Sequence, residues 1–228
     1  MKIIPQKNHI NSILKINWII ILMLLYSFTI PSNNHENNLP VVYETNQLHR
    51  NEFRHSKQQF ASYTPIYIGP QKDSINASGY YDINRYYTNQ YPRIDSVNSN
   101  TIKFVIDTTR TITKVLLVDK NNHLVPDTCS AYPVFIINIT PDTLYLSNTQ
   151  YISIYLEALN PKGNWQRIEQ QLFSVCPSGG EIIVLPPGEL ILTSVPVYKG
   201  GFRTKLRLHY GGVYTVELGG GVGLGVFE

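Results

Sequence analysis

Charge is scarce in this chain. Only 15% of its 228 residues are Asp, Glu, Lys or Arg, against about a quarter in a typical globular domain. Of the formal net charge of +3, Lys2, Lys7 and Lys15 stand ahead of the first acidic residue, Glu36, so the remainder is close to neutral. Non-specific nucleic-acid binding needs a concentrated basic surface, and that class is set aside. Cysteine is equally sparse, with Cys129 and Cys176 the only two. Two thiols without a histidine cluster cannot complete a four-ligand structural zinc site, so neither a metal nor another cofactor is expected. No long helical period appears, no Gly-x-Ser-x-Gly elbow occurs, and the Gly-rich end lacks the Gly-x-Gly-x-x-Gly register.

What the chain has instead is alternation. In Phe202–Tyr210 the residues Arg203, Lys205, Arg207 and His209 fall on one parity and Phe202, Thr204, Leu206, Leu208 and Tyr210 on the other. A period of two is the mark of a half-buried antiparallel strand. Similar short runs recur from Pro65 onward. Turn residues separate them at Gly69-Pro70, Asp107–Arg110, Asp119–His123, Thr140–Asp142, Asn160–Asn164, Pro186–Gly188 and Gly211-Gly212. Many short strands at such spacing predict an all-β, antiparallel sandwich. Phe135, Ile137, Ile152, Ile154, Leu156, Leu206 and Leu208 are expected to face its core.

The N-terminus supplies an address. Its lysines precede the apolar run Trp18–Ile30, the arrangement of a secretory signal or, if uncleaved, of a membrane anchor. The organisation expected is therefore a leader over 1–31, a polar disordered spacer over 32–62, a β-sandwich over 63–218 and a Gly-rich tail over 219–228. In an oxidising compartment Cys129 and Cys176 are expected to form one disulfide. The alternative is two buried free thiols.

Two features suggest binding. The first is the basic row Arg203, Lys205 and Arg207, which could meet an anionic partner. The plainer reading is a solvated strand face that also guards a sheet edge. The hairpin through Gly211-Gly212 predicts that Glu217 lies near Arg203 or Lys205. The second is the tyrosine cluster Tyr80, Tyr81, Tyr86, Tyr87 and Tyr91. Candidate chemistry is thin: Cys176 or Ser178 with His209 as base, or scattered glutamates such as Glu157, Glu169, Glu181, Glu189 and Glu217. Asn76-Ala-Ser and Asn138-Ile-Thr are formal glycosylation sequons, read as coincidental in an Asn-rich chain.

Phe135–Leu146 (Phe-Ile-Ile-Asn-Ile-Thr-Pro-Asp-Thr-Leu-Tyr-Leu) resembles the opening hairpin of Ig-like sandwich modules in secreted bacterial envelope proteins. Val184–Glu189 and Phe202–Tyr210 resemble their later turn and strand. The resemblance spans about residues 131–218 and implies an Ig-like fold and an exported address, with no catalytic residues. Together these readings give a non-enzymatic envelope or surface module, its partner an envelope protein or glycan, with membrane contact through the N-terminal segment. The alternatives are a secreted hydrolase and a periplasmic assembly or inhibitor domain.

Overall fold

The computed structural model describes residues 39–45, 59–61, 63–78, 93–120, 123–171 and 182–228. Over these residues the chain is all-β, with sixteen strands and one 3-10 turn, Leu224–Phe227. Among the described residues no helix is long and apolar enough to cross a membrane. The leader expected over 1–31 lies outside them.

One large sheet is organised around β7 (His123–Asn138). On one side lie β13 (Glu189–Pro196) and then β3 (Tyr67–Pro70), all antiparallel. The Gly69-Pro70 turn expected from sequence is instead part of β3. Pro70 is tolerated because an edge strand does not need every amide. Along the other side of β7 run β5 (Ile102–Ile106) and β6 (Ile112–Lys120), end to end. Asp107–Arg110 therefore does not fold β6 back on β5. Ile106 faces Val134 and Ile112 faces Ala131, so residues 107–111 bulge opposite residues 132–133. The Asp107 carboxylate holds the bulge. It accepts from the Thr109 amide at 2.9 Å and the Thr109 hydroxyl at 2.5 Å, and it pairs with Arg110 at 2.9 Å. Local side-chain bonds of this kind stand in for ladder bonds.

The second sheet comprises β9 (Tyr155–Leu159), β10 (Trp165–Arg167), β14 (Phe202–Tyr210), β15 (Val213–Tyr214) and β16 (Leu218–Val222). Asn160–Asn164 and Gly211-Gly212 make the expected hairpin turns, with Leu159 facing Trp165 and Tyr210 facing Val213. The Gly-rich end is not a separate tail. Gly219–Gly221 belong to β16, paired along Phe202–Leu206, and Val222 and Val226 are fully buried. Glycine is required there by close approach: a Cβ on Gly220 would stand 2.3 Å from the Leu206 side chain. The domain boundary placed at 218 thus moves to the C-terminus.

The two sheets sandwich a core that includes Ile102, Phe104, Ile136, Ile191, Leu156, Leu206, Leu208 and Val222. Of the residues expected inside, Ile152, Ile154, Leu156, Leu206 and Leu208 lie in this core. Phe135 and Ile137 do not: they point to the other face of β7, into a second cluster with Val42, Ile75, Ile112, Leu190 and Leu192. Both faces of the first sheet are covered, so β7 reads as a continuous apolar run, Val134–Ile137. The covering layer is β1 (Val41–Tyr43) paired in parallel with β4 (Ser74–Asn76). Another parallel pair joins β2 (Gln59–Ala61) to β11 (Glu169–Gln171). The spacer expected over 32–62 therefore contributes strands, because Val42 fills the second cluster while its neighbours stay exposed.

Residues 135–146 do not form a hairpin ladder. β8 (Leu144–Ser147) pairs with β12 (Ile183–Leu185), not with β7. Asn138 redirects the chain. It is 1% exposed and donates to the Asp142 and Leu185 carbonyls at 2.8 and 2.9 Å while accepting from the Thr140 amide and hydroxyl. Its sequon is spent on a buried turn.

Candidate functional site

The basic row lies on β14 as the alternation predicts, but its charges are largely engaged. Lys205 meets Glu217 at 2.7 Å, the partner that the hairpin register predicts. Arg207 meets Glu157 at 2.8 Å across β9 and stands between two rings, 4.1 Å from the centroid of Trp165 and 4.1 Å from that of Tyr214. His209 stacks on Tyr214 at 4.3 Å and bonds the Gly211 carbonyl. A ligand-reading row requires Lys205 and Arg207 unpaired, and neither is. Arg203 is exposed and has no carboxylate partner among the described residues.

One end of the row borders a cleft. Between β15 and β16 the register on β14 slips by one. His209 faces Tyr214 and Leu206 faces Leu218, which leaves residues 215–217 opposite residues 207–208. The slip reverses side-chain parity. Val213 and Thr215 are buried before it, Val222 after it, and Val216 and Glu217 are both exposed between them. Thr215 stabilises the bulge, its amide donating to the Leu208 carbonyl at 3.0 Å and its hydroxyl accepting from the Leu208 amide at 2.9 Å.

The bulge after β5 lies across from it. Ile106, Thr108 and Tyr132 from the first sheet and Val216, Glu217, Leu218 and Gly219 from the second enclose a half-open cleft of about 320 Å³. Bulges concentrate at sheet edges and beside functional sites, where they re-aim side chains. Here two of them, one on each sheet, bound the same space. Its volume is at the small end for ligand pockets. Its walls are mixed: Ile106, Tyr132, Val216 and Leu218 stand beside the polar Thr108 and Glu217, whose carboxylate meets Lys205.

The strongest electrostatic perturbations lie elsewhere, in a sealed cluster. Glu169 is 4% exposed, and its two carboxylate oxygens accept from Tyr63, at 2.6 Å, and from Tyr198. Lys114 is also buried; its ammonium donates to the Ser194 carbonyl at 2.7 Å and lies 5.0 Å from the Tyr63 ring centroid. Cys129 sits opposite Lys114 across the β6–β7 ladder. Burial pushes the Lys114 pKa down to about 8, the Cys129 thiol up to about 11 and the Glu169 carboxyl upward. Tyr63 and Tyr198 are pushed well above the ordinary phenol value, by burial first and by Glu169 second. Every shift favours the neutral form. Tyr63, Lys114, Cys129, Glu169 and Tyr198 are each less than a tenth exposed, and none of them lines the cleft.

Cys129 is buried and bonded to no described cysteine, and the expected pairing with Cys176 falls outside the described residues. Cys176, Ser178, Glu181 and the tyrosine cluster of 80–91 lie outside the described residues. Glu157 and Glu217 are each tied to a cation and Glu169 to two phenols, whereas one carboxylate oxygen of Glu189 is buried with no hydrogen-bond partner among the described residues. Among the described residues there is no grouping of three metal-ligating side chains.

Sequence reasoning missed the cleft and the buried cluster, although both leave marks. Val213 and Thr215 share a parity that Leu218 and Val222 break, which is the signature of an inserted residue. In Ile112-Thr-Lys-Val-Leu116, Lys114 occupies the apolar parity, which predicts a buried lysine needing a partner. Comparison with protein-family models, with curated proteins and with solved structures finds no match. The site must therefore be interpreted on its own geometry.

Proposed function

We propose that this chain is an exported envelope or surface module that binds a partner through the open side of its sandwich, without catalysing a reaction. The observation that carries this reading is the pair of facing bulges, Asp107–Thr111 and Thr215–Glu217, which bound one cleft of mixed polarity beside the basic strand. A sheet can tolerate an edge irregularity at little cost. Two that open on the same space, with Val216 left 71% exposed, are economically explained as a contact surface.

The address comes from the leader: charged residues, an apolar run, then a chain with few charges. The periplasmic assembly or inhibitor alternative uses the same open edge and differs only in partner. The hydrolase reading has less behind it, because the most perturbed titrating groups are sealed away from the cleft.

Two measurements test the proposal. Fractionation of the source cells with protease-accessibility should find the domain outside the cytoplasmic membrane; a cytosolic protein would overturn the address. Immobilised full-length protein should retain an envelope component that the Gly219→Phe variant does not retain. Gly219 is exposed and lines the cleft, and a Cβ there would meet no atom within 4 Å, so a side chain can be introduced at the cleft wall. Equal retention by both proteins would remove the cleft from the function.

A further inference from the structure

We infer that the cleft docks an extended segment of a protein partner in which apolar residues alternate with carboxylates. This inference rests on the binding reading above and names the chemistry of the partner. Three features of the same few residues support it.

The first is unused backbone. Val216 and Glu217 lie between the β15 and β16 ladders, and neither makes a backbone hydrogen bond to any described residue. Exposed peptide groups beside a sheet edge are what an added strand pairs with. The second is shape. A cleft of about 320 Å³ walled by Ile106, Tyr132 and Leu218 accepts apolar side chains from a short segment, and in an extended chain every second residue points the same way. The third is charge. Arg203 is exposed with no carboxylate partner among the described residues, and the Lys205 side chain is 62% exposed although paired with Glu217. Along β14 these two cations lie about 7 Å apart, the spacing of alternate residues in a strand. A carboxylate at one outward position of the segment meets Arg203, and one two residues along must displace Glu217 from Lys205.

A second copy of this chain fits less well. A two-fold contact sets the same patch against itself, which brings Arg203 and Lys205 of one copy toward those of the other. A small apolar molecule would leave the Val216–Glu217 peptide groups and Arg203 unused.

The probe is a fluorescent, end-blocked hexapeptide of alternating glutamate and valine, titrated against the full chain in low salt and compared with the lysine–valine counterpart. The glutamate peptide should bind saturably, at least about tenfold more tightly than the lysine peptide, and should weaken steeply with salt. Arg203→Glu should weaken it by about tenfold or more. Gly219→Phe should abolish binding while the far-ultraviolet spectrum and Tm stay native. Absence of saturable binding, equal binding of the two peptides, or undiminished binding by Gly219→Phe would each overturn the inference. So would concentration-dependent dimerisation that the peptide does not compete with. If an envelope component is retained through the cleft but the peptide fails, the binding role stands and the acidic-strand chemistry is wrong.

Discussion

Gly200 and Gly221 meet backbone to backbone. A Cβ on Gly221 would stand 2.4 Å from the Gly200 carbonyl oxygen, and a Cβ on Gly200 would stand 2.3 Å from the carbonyl carbon of Val222. The contact lets the Gly221 amide reach the Tyr198 carbonyl at 3.1 Å, which ties the last strand to the segment leaving β13. Gly221→Ala and Gly200→Ala should each cost about 1–3 kcal/mol by overpacking. In a domain of this size that is about 2–4 °C in Tm per kcal/mol. Gly219→Ala, with open space at its Cα, is the control and should be neutral. Thermal melts of the three variants decide whether the glycines are selected by packing; equal melting temperatures would refute the close approach.

Lys114 and Glu169 form the charged part of the sealed cluster, with Tyr63 and Tyr198 donating to the carboxylate. Removing one member leaves the other buried without its compensation. Lys114→Met also leaves the buried Ser194 carbonyl without its donor and should cost about 1–3 kcal/mol. Lys114→Met with Glu169→Gln should recover most of that loss, because two neutral groups replace two costly ones. Urea titrations of the single and double variants form the cycle. Additive losses would show that the two groups do not communicate.

The same cluster sets an alkaline profile. Lys114 has a folded pKa of about 8 against 10.5 unfolded, so the unfolded chain binds more protons between these values and stability rises with pH there. Cys129, about 11 folded against 9.0 unfolded, has the opposite sign, and so do the raised Tyr63 and Tyr198 above pH 10. From about pH 8 to 9 the lysine titrates ahead of the thiol and stability should climb. From about pH 9 to 10 lysine and thiol oppose each other and the curve should flatten. Above about pH 10 the phenols of the unfolded chain ionise as well and stability should fall. Lys114→Met should abolish the climb and keep the fall. Urea midpoints at closely spaced pH values read this directly, and an unchanged climb in the variant would exclude the lysine as its source.

The strands were legible where one face is wet. Phe202–Tyr210 alternates in sequence and in burial alike, and its tight turn at Gly211-Gly212 placed Glu217 beside Lys205. The pattern misled where both faces are dry. Val134–Ile137 carries no parity, so the sequence places Phe135 in the core that Ile136 occupies. It also misled where long-range packing decides. Val41–Tyr43 becomes a strand only because Val42 and Ile75 complete a distant cluster, and Gly219–Gly221 only because bulk is excluded there. The cleft was hidden because it depends on two register slips far apart in the chain.

Arg207 is the member of the basic row that is built into the sheet face. Its guanidinium is held by Glu157 and packed between Trp165 and Tyr214, with the side chain only 22% exposed. A cation between two rings contributes about 0.5–2 kcal/mol, so Arg207→Ala should destabilise by about 1–2 kcal/mol. Arg207→Lys should recover only part of this, because an ammonium lacks the planar fork that both stacks and pairs. Trp165 reports the change, once Trp18, the other tryptophan, is replaced by Phe. Loss of the stacked cation should shift and brighten its emission in Arg207→Ala, whereas Glu157→Gln should keep the stack and most of the native emission. The glutamate peptide should still bind Arg207→Ala within a few-fold, since Arg203 and Lys205 carry the attraction. Complete loss of peptide binding together with a native melting temperature would instead make Arg207 a ligand contact and the stack a secondary consequence.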